Sequence, residues 1–260
     1  MLPRTFRTAA GILALALCPA PLQPQAPAVR RYALPAREML QYTVEWRLIT
    51  AGRAQLDWAA ATHEGEPGYQ AKLHLESAGL VSKLFRVEDD YTTRLRADLC
   101  ALSSYIKAEE GRRKRETTIR FDPEERKATY LEKDLVRNAV VASHDIDIPA
   151  CVHDVVGGLY RLRTLRLEPG QSTQMPVSDG KKSVLARVEA QQREDVRTPA
   201  GEFKTVRYEA FLFNNVLYKR NAHLYVWLTD DDRKLPVQIR VRLQFTIGTI
   251  TLQLSKVEKS

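Results

Sequence analysis

Short runs in which apolar and polar residues alternate, separated by turn signals, recur along most of this chain. In the first run the apolar residues Leu40, Tyr42, Val44, Trp46 and Leu48 fall on every second position. Successive side chains of a β-strand point to opposite faces, so a period of two predicts a half-buried strand. The sequence therefore predicts an all-β fold that is mainly antiparallel.

Turn signals set the limits of the predicted strands. Ala51-Gly52 follows the first run, Pro199 and Gly201 suit the corners of a tight turn, and the aspartates at 230 to 232 bend the chain by bonding their own backbone. Regular short strands of this kind predict curved sheets or a half-open barrel. Further strands are predicted at residues 54–58, 69–75, 90–99, 103–109, 115–121, 127–132, 172–177, 184–191, 205–213, 223–228, 238–245 and 249–254.

One segment, near residues 152–165, has the period of a helix instead. Its apolar residues stand three and four positions apart, with Asp154 at its start and basic residues near its end, as the helix dipole favours. We expect one amphipathic helix, inserted near the middle of the chain and covering the open face of a curved sheet. The apolar patch Ser82–Phe85 is either one helical turn or an irregular crossing. The helical positions are Val152, Val155, Val156, Leu159, Leu162 and Leu165.

The N-terminus has the layout of a secretory signal. Arg4 and Arg7 precede an apolar run that is too short to span a bilayer, and Ala26-Pro27-Ala28 offers a cleavage site. The predicted organisation is a signal peptide at 1–28, a linker at 29–37 and a single β-rich domain at 38–258, in a protein exported to the periplasm. A lipid anchor at Cys18 is the alternative, although Leu17 is larger than the residue that usually precedes an acylated cysteine.

The chain is basic, with a formal charge of +8, of which Arg4 and Arg7 contribute two. An exported protein with this charge is not expected to bind nucleic acid, and an anionic envelope polymer or a membrane surface is the partner that the charge suits. The strongest charge feature is Arg112, Arg113, Lys114 and Arg115 in a predicted hairpin, which we interpret as a candidate contact for such anions. The alternative is a solvated strand face balanced by neighbouring glutamates.

Two cysteines, Cys100 and Cys151, follow the predicted signal peptide. An oxidising compartment permits a disulfide between them, and we name them as a candidate pair. Buried free thiols are the alternative, because cysteine packs well as a small apolar residue.

Several segments together closely resemble the bacterial family known as domain of unknown function 3108. The resemblance runs from about Leu40 to about Leu254 and implies an exported, mostly β protein of the Gram-negative type of cell envelope. It supplies no activity and no functional residues. The segments that carry it are Tyr42-x-Val44-x-Trp46 with Ala51-Gly52, Ser82–Phe85, Asp154 with Leu159-Tyr160, Thr198–Phe203, and Trp227 to Pro236.

No pattern in the sequence indicates a catalytic, metal or cofactor site. The histidines lack metal-ligand spacings, the serines lack a nucleophile elbow, and no phosphate-binding loop is present. We therefore expect no cofactor and lean away from an enzyme.

Three functions stay open at this point. The leading hypothesis is a binding or carrier protein for a lipid or another apolar small molecule, because a curved sheet with a helix across its opening can enclose such a ligand. The alternative is a structural or assembly factor that acts through its surface, and the third is a hydrolase with an unrecognised site. The residues expected to line or close a cavity are Trp46, Leu48, Leu56, Leu73 and Leu159.

Overall fold

A computed structural model describes residues 34–47, 49–243 and 248–259. The predicted signal peptide, Cys18 and Leu48 lie outside the described residues. Of the predicted linker, Leu34 packs against the core, and the Pro35 carbonyl accepts a hydrogen bond of 3.0 Å from the indole N–H of Trp58.

The described chain forms one antiparallel sheet and two short helices. Helix α1 is Gly79–Leu84 and helix α2 is Val155–Arg163. The strands are β1 Arg37–Trp46, β2 Ile49–His63, β3 Glu66–Ser77, β4 Val87–Arg96, β5 Ala101–Glu110, β6 Arg113–Asp122, β7 Lys127–Asp134, β8 Ala139–Asp147, β9 Ser172–Ser178, β10 Ser183–Thr198, β11 Gly201–Ala210, β12 Ala222–Thr229, β13 Pro236–Leu243 and β14 Thr249–Lys259.

The first and last strands of the described chain lie side by side in the middle of the sheet. The strand order is β8-β7-β6-β5-β4-β3-β2-β1-β14-β13-β12-β11-β10-β9, and every neighbouring pair is antiparallel. Each half is thus a meander: one runs outward from β1 to β8, and the other returns from the far edge at β9 to β14. The sheet is curved and does not close between β8 and β9, which confirms the predicted antiparallel all-β fold.

Because the pairing is antiparallel throughout, the connections fall at two ends of the curved sheet. The helix end carries α2 and the connections at 64–65, 97–100, 123–126, 164–171, 199–200 and 230–235. The mouth end carries α1 and the connections at 47, 85–86, 111–112, 135–138, 179–182 and 211–221.

Helix α2 closes the helix end by packing against the inner face of the sheet. The ring of Tyr160 stacks on Trp58 with 3.9 Å between ring centroids. Asp154 caps the helix by accepting the Gly157 N–H at 2.8 Å, and its other carboxylate oxygen accepts hydrogen bonds from Thr93 and Ser104. The helix is therefore shorter than the predicted 152–165, and Asp154 precedes its first turn rather than lying in it.

The structure differs from the sequence prediction in four further places. Ala51-Gly52, predicted to turn the chain after the first run, lies within β2, and the turn comes earlier, at Arg47. Strand β8 was not predicted, because its first residues, Ala139–Ala142, do not alternate. The strand predicted at 205–213 ends at Ala210, and a loop follows it. The sequence allows the patch Ser82–Phe85 to be one helical turn or an irregular crossing. In the structure Ser82 to Leu84 end α1, and Phe85 is its C-cap.

Candidate functional site

On β1 to β5 and β14, most apolar residues of the inner face are buried toward the helix end and half-buried toward the mouth end. Leu40, Trp58, Ala71 and Leu95 lie toward α2 and are at most 1% exposed. Farther along the same faces of the same strands, the side chains are partly exposed. These half-buried, inward-facing residues are Val44 and Trp46 on β1, Leu73 and Leu75 on β3, Tyr91 on β4, Ile106 on β5 and Leu252 on β14.

The structure divides the residues predicted to line a cavity into two groups. Trp46 and Leu73 belong to the half-buried inner face of the mouth end. Leu56 is 3% exposed within the core, and Leu159 of α2 packs between the two core clusters. Leu48 lies outside the described residues. The alternation did point to Leu75, but sequence reasoning did not single out Tyr91 or Ile106.

A charged wall adjoins these apolar residues on the inner faces of β4 to β7. Asp89, Arg115, Glu132 and Asp134 all point inward there. Arg115 Nη1 lies 3.0 Å from Asp134 Oδ2, and Arg115 Nε lies 3.6 Å from Glu132 Oε1. Neither nitrogen makes a hydrogen bond with a described residue, although both are buried. The wall therefore offers guanidinium donors beside an apolar surface.

Two carboxylates of this wall, Asp89 and Glu132, titrate differently. Burial, and then repulsion from Glu110, raises the pKa of Asp89 to about 6. Burial also opposes ionisation of Glu132, but a hydrogen bond from Tyr130 and the charge of Lys181 outweigh it, so the pKa of Glu132 is lowered. Asp89 is thus the carboxyl group of the wall that gains a proton most readily.

The four predicted anion-contact residues do not share one face. Arg112 is exposed in the connection between β5 and β6, and Lys114 forms an ion pair of 2.7 Å with Glu109 on the outer face. Arg113 points inward and lies 3.2 Å from Glu132, and Arg115 is largely buried. Arg112 and Lys114 therefore belong to the outside of the mouth, and Arg113 and Arg115 belong to its inner wall.

The rim of the mouth also exposes large apolar side chains. Leu80, Leu84 and Phe85, in and after α1, are 63%, 74% and 53% exposed, and Val136 between β7 and β8 is 65% exposed. Phe85 lies over Gly111, where a Cβ atom would approach its ring to 2.9 Å. This contact and the hydrogen bond from Gly111 N–H to the Arg86 carbonyl join α1 to the β5–β6 connection.

At the helix end, Cys100 and Cys151 are joined by a disulfide with their Cα atoms 5.1 Å apart. The bond ties the segment before α2 to the start of β5. A small cleft of about 150 Å³ also lies at this end, lined by charged side chains that include Arg166, Arg193 and Asp230. Pockets for drug-sized ligands occupy roughly 300–1,000 Å³ and are mostly apolar, so this cleft does not suit a lipid-like ligand.

Among the described residues, no three His, Cys, Asp or Glu side chains are grouped closely enough to hold a metal ion. None of the helices in the described ranges is long and apolar enough to cross a membrane.

Comparison with known proteins identifies the family. The model of DUF3108, a protein family of unknown function, matches residues 41–255. The chain belongs to the DUF3108 family. The match covers β1 to β14 and so includes both halves of the sheet. No curated protein matches this DUF3108 chain.

Solved structures resemble the DUF3108 fold at low sequence identity. A β-barrel-like protein of the DUF1849 family from Brucella abortus aligns with a TM-score of 0.54 and 10% identity, over 87% of this chain and 98% of that one. A protein of Bacteroides fragilis assigned as exported, with a YmcC-like fold, aligns with a TM-score of 0.40 and 10% identity, over 88% and 100% of the two chains. The DUF1849 structure supports the barrel-like architecture and carries no information on activity.

Proposed function

We propose that this DUF3108 protein is an exported, non-enzymatic binding protein of the cell envelope that takes a lipid-like ligand at its mouth end. The observation that carries the proposal is the burial gradient of the inner face. The same strands that are sealed by α2 at one end leave apolar side chains such as Leu73 and Leu75 partly exposed at the other. Apolar surface that faces inward and stays partly accessible suits an acyl chain or a similar apolar group.

The charged wall suggests which chemistry the polar end of such a ligand has. Arg115 and Arg113 both lie beside Glu132, at 3.6 and 3.2 Å, and Arg115 also pairs with Asp134 at 3.0 Å. Guanidinium groups bind phosphate and carboxylate oxygens in a forked geometry. Because carboxylates already balance these guanidinium groups, an amphiphile with a hydrogen-bonding polar head fits. Its apolar part would lie along β1 to β5 and its head near β6.

The N-terminal pattern supports export as part of this proposal. Residues 1–28 have the charged, apolar and small-residue segments of a secretory signal, and a disulfide such as Cys100–Cys151 persists in an oxidising compartment. Both features suit the periplasm.

The proposal is tested by titrating the purified protein with an environment-sensitive fluorescent fatty acid. We expect saturable binding by the native protein. Leu75→Trp should bind at least tenfold more weakly, because its larger ring fills space on the inner face of the mouth end. Leu185→Trp is the matched control, because Leu185 is 58% exposed on the outer face of β10. Ile106→Trp, on β5 of the same inner face, repeats the test if Leu75→Trp does not fold.

Absence of probe binding to the native protein contradicts the proposal. Equal affinity in the folded Leu75→Trp and Ile106→Trp variants contradicts the assignment of the site to the mouth end.

A second candidate function, assembly through the surface, is favoured by strand β8. One edge of β8 pairs with β7, no described strand pairs with its other edge, and Val140 and Val141 are exposed on it. Such an edge can accept a strand from a partner protein. Chemical crosslinking in envelope fractions tests this candidate, which predicts a partner peptide joined to Lys133 or Lys127 beside β8 and loss of that product in Val141→Pro.

A further inference from the structure

We infer that the rim of the mouth end is a docking surface for an anionic lipid bilayer. This inference goes beyond the proposed ligand site, because it concerns the outer rim and does not require a ligand inside. It combines two independent observations, the position of the exposed apolar side chains and the distribution of charge between the two ends of the sheet.

The exposed apolar side chains are concentrated at one end of the molecule. Among the large apolar residues that are exposed within the described ranges, all except Tyr105 and Val155 lie in α1, in the connections of the mouth end or within three positions of them. Clustered exposed apolar residues mark contact sites more often than scattered ones do. The members of this apolar rim are Ile49, Leu80, Leu84, Phe85, Leu135, Val136, Val140, Val141 and Leu185.

Basic residues surround the apolar rim. Within the described part of α1 and the mouth-end connections, Asp179 is the one acidic residue. The basic residues there come from connections far apart in the sequence, whereas the adjoining strand ends carry acidic residues such as Glu88 and Glu110. The basic excess therefore belongs to the connections. They are Arg47, Lys83, Arg86, Arg112, Arg137, Lys181, Lys182, Lys219 and Arg220.

The helix end carries both charges, because α2 and its connections contain basic residues beside the acidic ones. The basic residues are Arg126, Arg161, Arg163, Arg166, Arg233 and Lys234. The acidic residues include the aspartates at 230 to 232, together with Glu124 and Glu125 between β6 and β7. The resulting charge asymmetry turns the mouth end toward a negative surface and the helix end away from it. Each Lys or Arg near an anionic membrane contributes about 1 kcal/mol to binding, and apolar side chains at the same face add the burial that a soluble polyanion cannot provide.

The rim is held in one arrangement by backbone contacts. Gly111 N–H donates to the Arg86 carbonyl at 2.7 Å, and Leu135 N–H donates to the Lys114 carbonyl at 3.0 Å. The first bond joins the end of α1 to the β5–β6 connection. The second joins the start of β6 to the β7–β8 connection. These contacts hold the apolar and basic side chains of these parts of the rim next to one another.

The test is sedimentation of the purified protein with vesicles. We expect binding to vesicles of phosphatidylglycerol and phosphatidylethanolamine, weaker binding in 1 M salt, and little binding to phosphatidylcholine alone. Leu84→Ser with Phe85→Ser should lower the affinity at least tenfold. Arg112→Gln with Arg137→Gln should lower it about 25-fold, from two contributions of about fivefold each.

Matched controls separate docking from general effects. Val155→Ser removes an exposed apolar side chain at the helix end, and Arg94→Gln with Lys204→Gln removes two exposed charges that lie toward the helix end. Both controls should bind vesicles as the native protein does. Because none of the rim substitutions touches Leu75 or Ile106, fatty-acid binding should persist in the rim variants.

Two results overturn the inference. Rim and control variants that bind equally well show that the mouth end is not the contact. Loss of binding in the charge variants alone, with full binding by Leu84→Ser and Phe85→Ser, identifies the partner as an anionic polymer rather than a bilayer. Failure of fatty-acid binding with intact vesicle binding would instead reject only the proposed ligand site.

Discussion

Arg163 in α2 forms a doubly hydrogen-bonded ion pair with Glu38 in β1. Arg163 Nη1 donates to Glu38 Oε1 at 2.6 Å and Nη2 donates to Oε2 at 3.1 Å, and both side chains are at most 1% exposed. The Nε of Arg163 also donates to the Lys234 carbonyl at 2.9 Å. One guanidinium thus connects α2, the first strand and the connection between β12 and β13, which fixes the helix across its end of the sheet.

Glu38→Gln should lower the free energy of unfolding by about 3–5 kcal/mol, because it leaves a buried guanidinium without its counter-charge. Glu76→Gln is the control. Glu76 pairs with Arg53 on the surface at 3.6 Å, and exposed pairs contribute only about 0–1 kcal/mol. Urea unfolding monitored by circular dichroism measures both, and equal effects would contradict a structural role for the buried pair.

The two adjacent glycines of α2 should respond in opposite directions to alanine. A Cβ at Gly157 would lie 2.9 Å from Leu95 Cδ2, so Gly157→Ala should destabilise the protein by about 1–3 kcal/mol through overpacking. A Cβ at Gly158 meets no atom within 4 Å, so Gly158→Ala should stabilise it by about 0.5–1 kcal/mol. Thermal melting of the two variants measures both effects. A destabilised Gly158→Ala would mean that α2 packs differently.

Reduction of the Cys100–Cys151 bond should destabilise the fold. The chain-entropy model gives about 4 kcal/mol for a loop of 51 residues, because the open chain regains freedom when unfolded. Urea midpoints with and without a reductant measure the effect, and the double variant Cys100→Ala with Cys151→Ala should be insensitive to the reductant. An unchanged midpoint on reduction would contradict this expectation.

Asp89→Asn should stabilise the protein near neutral pH. Since the pKa of Asp89 is raised to about 6 from 3.8, the folded state keeps a proton that the unfolded chain has lost, and this group makes stability fall as the pH rises from about 4 to about 6. The gain from Asn should be up to about 3 kcal/mol at pH 7.5 and near zero at pH 4. Asp90→Asn, on the exposed face of β4, is the control.

The pH dependence is measured as unfolding free energy between pH 4 and 7.5. A gain in unfolding free energy that is the same at both pH values would contradict the raised pKa of Asp89. The raised pKa predicts that the gain disappears at pH 4, where the folded protein holds this carboxyl group protonated.

The local pattern predicted most strands but not their order. Leu40, Tyr42 and Val44 alternate clearly because one face of β1 is buried, whereas Val140 and Val141 in β8 do not, since an edge strand has little buried face to encode. The pairing of β1 with β14 joins residues more than 200 positions apart, and no local preference specifies it.

The candidate site was only partly predictable for a similar reason. Leu56 and Leu73 pair across β2 and β3 and have the same period, yet the first is buried in the core and the second is half-buried. Their burial depends on where α2 ends along the inner face, which the sequence of either strand does not contain. The charge asymmetry likewise emerges only when the connections are assigned to two ends.

Native mass spectrometry of the protein purified from its own envelope fraction, compared with its denatured mass, tests ligand binding most directly. Ligand binding at the mouth end predicts an added mass under native conditions that denaturation releases as a lipid-like molecule, and that is reduced in Leu75→Trp but not in Leu185→Trp. A bare protein mass in every preparation, together with no uptake of added fatty acid, would contradict the proposed function.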